Sequence, residues 1–226
     1  MGGTLDTIIV CILRIFVLLY LYQTIYMLVG LFCKPKRFTA KKQHRYGVLI
    51  SARNESAVIA HLIESIRNQN YPSELVDVFV VADNCTDDTA DAARAAGAIV
   101  FERFNQEEKG KGYALNYLLG RIKQQYGPEY YEGFFIFDAD NVLEKDYITQ
   151  MNTVFDNGYA LVTSYRNSKN YSDNWITSGY GLWFLREARY LNNARMILGS
   201  SCLVSGTGFL VHKDIINRNN GWNCFL

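Results

Sequence analysis

The segment Gly133–Asp140, which reads GFFIFDAD, decides the fold of this chain. Its four consecutive apolar residues, from Phe134 to Phe137, are typical of a strand that is buried on both faces. The run ends in Asp138 and Asp140, and two carboxylates at the end of a core strand are costly unless positive charge meets them. The pattern therefore predicts a buried strand whose carboxyl end faces a source of positive charge.

Strand patterns and helix patterns alternate along the chain from Tyr46 onward. Strands that are separated by helices predict an α/β fold with a mostly parallel sheet and helices on both faces. In the second helix, Thr86 is the predicted N-cap and Gly97 the predicted C-terminal stop. The predicted strands are 46–52, 75–83, 98–103, 133–140, 160–166 and 202–212, and the predicted helices are 56–69, 86–97, 112–127 and a long stretch around 183–198.

Polar residues follow three of the predicted strands at the point where each strand ends. In parallel α/β sheets, ligands bind outside the carboxyl ends of the strands. We therefore predict a ligand site at this edge of the sheet. The polar residues are Asn54 and Glu55, Asp83 and Asn84, and Asp138 and Asp140.

Asp138 and Asp140 are candidate metal ligands because residues i and i+2 of an extended segment point to the same side. A hard divalent cation such as Mg²⁺ or Mn²⁺ takes one or two carboxylates, keeps some water and completes its shell with substrate phosphates. Two alternatives stay open from the residues alone. Either Asp140 caps a helix that begins near Glu144, or Asn141 makes a turn.

The first 33 residues form a separate and almost wholly apolar segment. Thr7–Cys33 carries Arg14 as its only formal charge, and its length is sufficient to cross a bilayer core of roughly 30 Å. A cleaved signal peptide would have a shorter apolar core, and a helix buried in a soluble domain would normally be amphipathic. Residues 1–33 are therefore predicted to form a transmembrane helix.

A basic segment, residues 34–45, follows the predicted span. A cluster of Lys and Arg beside a span marks the cytoplasmic side of the membrane, so the domain over residues 46–226 is predicted to be cytoplasmic. A solvated basic linker is the plainer interpretation, and the two are compatible. The net charge of the whole chain is only +1, which gives no electrostatic case for binding nucleic acid.

The five cysteines form no CxxC pair and are odd in number. This pattern argues against a disulfide framework or a zinc site, and reduced thiols fit the cytosol. The cysteines are Cys11, Cys33, Cys85, Cys202 and Cys224.

Five motifs carry a resemblance to a known family. They are SARNES (51–56), VADNCTDDT (81–89), KGKGYALN (109–116), FDADN (137–141) and SGTGF (205–209), in this order. With this set the chain resembles the family 2 glycosyltransferases of GT-A fold, in particular the membrane-bound processive type related to cellulose, chitin and hyaluronan synthases. The resemblance runs from about Tyr46 to Leu226. It implies a Rossmann-like nucleotide-diphospho-sugar transferase domain after the transmembrane helix.

The resemblance also implies roles for individual residues. Residues 52–55 would line the uridine, and Asp83 would accept a hydrogen bond from uracil N3. Asp138 and Asp140 match the D-x-D motif that binds Mg²⁺ or Mn²⁺ and the donor diphosphate. The implied nucleotide-binding residues are Ala52, Arg53, Asn54, Glu55, Asp83, Lys111, Asp138, Ala139 and Asp140, and those beside the donor sugar and acceptor are Ser205, Gly206, Thr207 and Gly208.

Several of these residues also have plainer interpretations. Asp83 could form an Asx-turn or a helix cap beside Thr86. Lys111 could lie in a flexible solvated loop instead of reaching a phosphate. The SGTG segment could be a glycine-rich bend at a strand end.

Histidines and aromatic residues add less to the prediction. His44, His61 and His212 are scattered; a surface position is favoured for His212 over the role of a third metal ligand. The aromatic residues around position 183 favour core packing or contact with further membrane helices, and stacking on an acceptor sugar is the alternative. These aromatic residues are Tyr180, Trp183, Phe184 and Tyr190.

The function that the resemblance implies is inverting transfer of a sugar from a nucleotide-sugar donor, a UDP-sugar, to a saccharide or lipid-linked acceptor. Such transfer needs a general base, which the family places in a T/S-E-D-type motif after a GGW-like turn. This chain reaches NNGWNCFL and has no carboxylate after Asp214, which we interpret as a helix cap. We therefore expect an N-terminal fragment that holds the donor site, with the base beyond Leu226.

Two rival functions belong to other classes. A nucleotidyltransferase would carry a glycine-rich loop with Arg or Lys after the first strand, where this chain has SARNES. A non-catalytic, membrane-tethered nucleotide-sugar binding module would bind the donor without turnover.

Overall fold

The computed structural model of the chain describes residues 2–222. The predictions for Cys224 and for the last residues of the 46–226 domain lie outside the described residues. The chain divides into two compact units. One holds the residues up to Arg37 together with Tyr165–Leu203, and the other holds Phe38–Ser164 together with the residues from Val204 onward.

A long first helix precedes an alternation of strands and helices. The strands are β1 Tyr46–Ala52, β2 Val76–Asp83, β3 Ile99–Arg103, β4 Gly133–Asp138, β5 Leu161–Thr163 and β6 Phe209–His212. The helices are α1 Gly2–Phe32, α2 Ile59–Arg67, α3 Thr89–Ala95, α4 Lys111–Tyr126, α5 Tyr147–Phe155, α6 Trp175–Leu185, α7 Asn193–Ile197 and α8 Lys213–Arg218, with a 3-10 turn at Ser73–Leu75 and a π-helical segment at Arg186–Asn192 between α6 and α7.

The helical unit contains α1, α6, the π-helical segment and α7. Over Leu5–Phe32, α1 is long and apolar enough to cross a membrane, and it is the one such helix in residues 2–222. One face of its C-terminal half, from Gln23 to Gly30, packs against the helices that precede residue 203.

The second unit is built on a six-stranded sheet with the order β3-β2-β1-β4-β6-β5. The first four strands in chain order run parallel, whereas β6 is antiparallel to its neighbours β4 and β5. The mostly parallel α/β fold is therefore confirmed. Because β1 lies between β2 and β4, the three strand ends that the sequence marks as polar lie side by side.

The β4 strand is buried on both faces, as its apolar run predicts. Phe135 and Phe137 pack with residues of α2 and α5 on one face of the sheet. Phe134 and Ile136 pack with residues of α4 and α8 on the other face. Each such side chain contributes about 1.5–3 kcal/mol when fully buried, so the apolar body of β4 holds its polar end at a defined place.

The last two strands are shorter than the sequence predicts. The prediction for β6 ran over 202–212, but the strand contains only Phe209–His212. Gly206 and Gly208 adopt positive φ angles of 58° and 68°, so the SGTG segment forms a loop before the strand. The prediction for β5 ran over 160–166, and the strand is Leu161–Thr163.

The start of α3 also differs from the prediction. The N-cap position is held by Asp88, which makes no side-chain capping hydrogen bond, so the assignment of Thr86 as the cap was wrong. Thr86 is instead bonded to Asn54 of the preceding loop. The predicted stop at Gly97 is confirmed, since its φ of 92° is a left-handed conformation that glycine adopts without strain.

His44 attaches the basic segment to the domain, a role that its sequence context did not indicate. The ring is 12% exposed and lies between Glu132 and Asp156, with Nδ1 2.7 Å from Glu132 Oε2 and Nε2 2.8 Å from Asp156 Oδ1. Both ring nitrogens therefore face carboxylate oxygens, which accept hydrogen bonds when they are ionised. The backbone N–H of His44 donates to Asn152 Oδ1, and Asn152 Nδ2 donates to the carbonyl of Lys42.

Both carboxyl groups beside His44 have a lowered pKa. Burial raises the pKa of Glu132, but hydrogen bonds from Lys42 and His44 outweigh burial and bring it below its usual value. The pKa of Asp156 is lowered by the backbone N–H of Lys41 and then by the His44 ring. A carboxyl whose pKa is lowered by folding stabilises the fold above its unfolded-state pKa, and the stabilisation is lost as pH falls through the folded-state pKa.

This arrangement predicts how replacement of His44 affects acid stability. His44→Gln removes the ring that contacts both Glu132 and Asp156, so the carboxyl pKa values move back toward their unfolded-state values. We expect the variant to be less stable than the parent at about pH 6 and the difference to narrow toward about pH 3. Thermal unfolding in detergent across this pH range measures the effect.

The matched control is His61→Gln, because His61 is exposed on α2. Its unfolding midpoint should follow that of the parent at every pH. A stability difference for His44→Gln that is as large at about pH 3 as at about pH 6 would contradict the proposed linkage.

Candidate functional site

The loops after β1 and β2 are joined by side-chain hydrogen bonds. Asn54, with φ 57°, accepts a hydrogen bond from the backbone N–H of Thr86 through Oδ1 at 2.8 Å and donates from Nδ2 to Thr86 Oγ1 at 3.2 Å. The hydroxyl oxygen of Thr89 accepts from the N–H of Glu55 at 2.8 Å. The polar ends of the first two strands therefore form one connected edge.

Asp87 strengthens the same connection. Its carboxylate accepts hydrogen bonds from the hydroxyl of Thr89 and from the backbone N–H of Ser56, the latter at 3.2 Å. These bonds, with the Thr89 hydroxyl as the largest cause, lower the pKa of Asp87 to about 2. The group therefore stays ionised at neutral pH and serves as an acceptor that holds the two loops together.

Asp83, the last residue of β2, is buried as an ion pair with Arg103, the last residue of β3. The two are partners in the strand register, Arg103 Nη1 lies 2.7 Å from Asp83 Oδ1, and each side chain is only 6% exposed. The amide of Asn84 donates to the same carboxylate oxygen at 3.2 Å. Arg103 also donates from Nη2 to the carbonyl of Glu108 at 2.9 Å.

The ion pair with Arg103 explains why β2 can end in a buried carboxylate. The helix-cap alternative beside Thr86 is not the arrangement observed, since the hydrogen bonds of Asp83 run to Arg103 and Asn84. Arg103 was not among the site residues predicted from the sequence. The signal that could have found it is a basic residue at the end of the strand next to the one that ends in Asp83.

Asp138, the last residue of β4, is paired with Lys111, the first residue of α4. Lys111 Nζ contacts the Asp138 carboxylate and donates to the carbonyl oxygen of Gly206 at 2.7 Å. Gly110, which has a φ of 119°, precedes Lys111 and turns the chain into the helix. The positive charge that the GFFIFDAD segment requires is therefore supplied, in this structure, by a lysine from the KGKG motif.

Thr207 connects the SGTG loop to the D-x-D turn. Its hydroxyl oxygen accepts from the backbone N–H of Asp138 at 2.8 Å, and its hydroxyl donates to Asn141 Oδ1 at 2.5 Å. Asn141 Nδ2 in turn donates to Asp140 Oδ1 at 3.1 Å. Two motifs that lie about 65 residues apart in the chain are thus joined by a row of three hydrogen bonds.

The other predicted site residues differ in how far they are buried. Ala52 and Ala139 are buried in the core, so any contact they make with a ligand comes from the backbone. Arg53 and Asp140 are exposed at the sheet edge, whereas Ser205 is partly buried in the loop before β6. The structure therefore joins Lys111, Asp138, Gly206 and Thr207 directly, and it joins Asn54 and Glu55 to the loop after β2.

Asp138 and Asp140 bring two carboxylates to the end of β4. Within residues 2–222, no three His, Cys, Asp or Glu side chains come together as a metal-binding group. Asp138 and Asp140 alone still fit Mg²⁺ or Mn²⁺, since such cations need only one or two protein carboxylates when phosphates and water supply the rest.

His212 and Asp214 have structural positions. The His212 ring stacks on Phe155 at 5.3 Å between centroids, and its Nδ1 accepts from the backbone N–H of Asp214 at 3.2 Å. His212 is therefore the N-cap of α8, and the interpretation of Asp214 as the cap was wrong.

Comparison with known proteins identifies the family. Residues 44–225 match the family described as "Glycosyltransferase like family 2". The chain is 27% identical over 207 residues to a beta-monoglucosyldiacylglycerol synthase of Nostoc sp., covering 85% of this chain and 41% of that protein. It is 26% identical over 212 residues to the probable glycosyltransferase YdaM of Bacillus subtilis, covering 84% and 46%.

A shorter match is closer in sequence. Over 70 residues, 31% of this chain and 18% of the relative, the chain is 41% identical to the 4,4'-diaponeurosporenoate glycosyltransferase of Staphylococcus aureus. In each of these comparisons, the chain spans less than half the length of the relative.

Solved structures share the fold. The mannosyltransferase PcManGT from Pyrobaculum calidifontis, in complex with GDP-Man and Mn²⁺, superposes with a TM-score of 0.63 at 19% identity, covering 91% of this chain and 54% of that one. S. aureus TarS 1-349 in complex with UDP-GlcNAc gives 0.55 at 14% identity, covering 78% and 47%. The family match over most of the chain, on a GT-A fold, shows that this chain belongs to glycosyltransferase family 2.

Proposed function

We propose that the chain binds a UDP-sugar at the carboxyl edge of the sheet and takes part in inverting transfer of the sugar to a saccharide or lipid-linked acceptor. The observation that carries the proposal is the cluster of Lys111, Asp138 and Thr207, which brings three separate motifs together at the end of β4. Relatives with lipid substrates in their names favour a lipid-linked acceptor.

The diphosphate of the donor would lie between Lys111 and the D-x-D turn. Lys111 is a half-buried cation at the first residue of the 16-residue helix α4. Helix N-termini favour anions because their backbone N–H groups and dipole face the ligand. Its hydrogen bond to Gly206 places the same ammonium beside the SGTG loop. A single lysine can thus contact both the diphosphate and the loop proposed to flank the donor sugar.

Asp138 and Asp140 would hold Mg²⁺ or Mn²⁺ at this place. When bound, such a cation neutralises the charge that grows on the departing nucleoside diphosphate. Thr207 holds the backbone of Asp138, and Asn141 holds the side chain of Asp140. The two ligands are therefore oriented by the loop on the sugar side of the site.

The uracil ring would be recognised by Asp83. Uracil N3 carries a hydrogen and an ionised carboxylate only accepts, so the two are complementary. Arg103 and Asn84 both bond to Oδ1 of Asp83, which leaves Oδ2 as the acceptor for the base. The buried Arg103 supplies the opposite charge that offsets the cost of burying this carboxylate.

Membrane attachment would place this site at a lipid surface. We propose that α1 crosses the membrane and that the unit containing the sheet lies on the cytoplasmic side, because the basic segment of residues 34–45 follows the span. In this arrangement a lipid-linked acceptor would be available in the same membrane.

The proposed metal ligands predict metal-dependent binding of UDP. Asp140→Asn should remove most of the dependence of UDP affinity on Mn²⁺, a weakening of at least about tenfold in the presence of the metal. Titration calorimetry with UDP, with and without Mn²⁺, measures the change. Asp146→Asn is the matched control, because Asp146 is an exposed carboxylate bonded to Asn70 outside the site. If the parent chain binds UDP equally well without metal, the assignment fails.

The proposed contact of Asp83 predicts selectivity for the base. In Asp83→Asn the amide can either accept from uracil N3 or donate to cytosine N3, so the preference for UDP over CDP should fall by about tenfold. Competition binding of UDP and CDP gives the ratio. Asp77→Asn, which changes a carboxylate of the same strand that bonds to Tyr131, should keep the parent ratio. An unchanged ratio in a folded Asp83→Asn variant would show that Asp83 does not contact the base.

The buried pair itself predicts a large effect on stability. Arg103→Met leaves the Asp83 carboxylate buried without its partner, so the free energy of unfolding should fall by about 3–5 kcal/mol. Arg94→Met removes an exposed arginine that pairs with Asp91 and Glu102, and it should cost less than about 1 kcal/mol. Denaturant unfolding in detergent compares the two. Equal losses would mean that Arg103 contributes no more than a surface charge.

A further inference from the structure

We propose that the exposed aromatic face of α6 inserts into the membrane interface beside α1, so that the chain touches the bilayer at two places. The lipid surface is the partner, and the proposal rests on α1 being a membrane span. The face consists of Trp175, Ile176, Tyr180, Leu182 and Trp183.

The composition of α6 does not suit a helix that faces water. Trp175–Leu185 contains no charged residue, yet Trp175 is 83% exposed and Trp183 57% exposed. Helices at a water-exposed surface carry polar residues on their outer face, and contiguous exposed apolar patches mark contact with a membrane or another protein. A covering surface is therefore required for α6.

The helices that continue from α6 are held against the C-terminal half of α1. The guanidinium of Arg186 donates to the side-chain oxygen of Gln23, and the guanidinium of Arg195 lies 5.4 Å from the centre of the Tyr26 ring. A side chain at Gly30 would come within 2.9 Å of Tyr190 Cα. The glycine thus permits a close approach between the π-helical segment and the span.

These contacts fix where the C-terminal end of α6 lies along the proposed span. They involve α1 residues 23–30, the part of the helix that leads into the basic segment. The α6 helix ends at Leu185, directly before Arg186, so its C-terminal end lies beside the C-terminal half of α1. The end of a span is where the headgroup region of the bilayer begins.

The chemistry of the face selects lipid as the occupant. Tryptophan and tyrosine are enriched at membrane–water interfaces, where the ring is apolar and its N–H or O–H meets polar groups. Arg189, shortly after the end of α6, is exposed, and a cation beside an apolar face favours anionic lipid headgroups. With 11 residues, α6 is too short to cross the bilayer, so it would lie along the interface.

The three tryptophans of the chain provide a direct test. In a Trp222→Phe variant, all tryptophan emission comes from Trp175 and Trp183 on α6. The full chain is reconstituted into vesicles that contain phospholipids brominated near the headgroup end of the acyl chain, and emission is compared with that in unbrominated vesicles. We expect loss of most of the emission in brominated vesicles and little quenching by iodide added to the water.

The matched control is the double variant Trp175→Phe/Trp183→Phe, which keeps only Trp222. Trp222 lies in the unit that contains the sheet, with its ring 6.0 Å from that of Phe209. Its emission should not change between brominated and plain vesicles. Quenching of Trp222 to the same extent would show that the lipid effect is not specific to α6.

Two outcomes would overturn the proposal. Strong quenching by iodide without quenching by brominated lipid would place the face in water. Protection from both quenchers would place it against protein, either a second copy or another segment. Resistance of the chain to alkaline extraction reports on α1 alone, and none of these measurements uses donor binding, so failure of the α6 proposal is distinguishable from failure of the proposed function.

Discussion

Carboxylates at the ends of buried strands need a cation within hydrogen-bonding distance, and the whole edge of the sheet is arranged around this need. Asp83 receives Arg103 from the end of the neighbouring strand, and Asp138 receives Lys111 from the start of α4. Arg103 comes from the strand that pairs with β2, and Lys111 comes from the helix that follows β3. The site therefore exists only when the strand order β3-β2-β1-β4 has formed.

The two ion pairs differ in burial, and this difference suits different tasks. The pair of Asp83 and Arg103 is almost fully buried, so its geometry is fixed by packing. The pair of Asp138 and Lys111 is partly exposed, so either member can change partner at a low cost in solvation. In the proposed function, the fixed pair would recognise the base, and the exchangeable pair would meet the diphosphate.

The α/β fold could be predicted from the sequence because the patterns that mark its strands and helices each span only a few residues. The apolar run of β4, the polar strand ends and the stop at Gly97 are each visible within a few residues, and each is confirmed. The sequence could predict that positive charge lies beside Asp138, because the GFFIFDAD segment ends a buried strand in carboxylates. The sequence predicts a metal ion as the source of that charge, and no local pattern indicates that Lys111 also contacts Asp138.

The features that escaped prediction depend on register and on distant pairing. Arg103 opposes Asp83 only because β3 pairs with β2 in one particular register. His44 lies between carboxylates that are 88 and 112 positions away, so no local pattern marks it. The helical segment before residue 203 was predicted as helix, but its membership in one compact unit with α1 follows from packing alone.

The hydrogen bonds through Thr207 have a direction, and this direction constrains residue 141. A threonine hydroxyl has one hydrogen, and here its oxygen is occupied by the Asp138 N–H while its hydrogen points to Asn141. The amide oxygen of Asn141 must therefore face Thr207, and its NH₂ group must face Asp140. The three hydrogen bonds are therefore all donated in the same direction, from the backbone N–H of Asp138 inside the sheet to the Asp140 carboxylate at its surface. An aspartate at position 141 could receive the threonine hydrogen. It would have no N–H to donate to Asp140, so the last of the three hydrogen bonds would be lost.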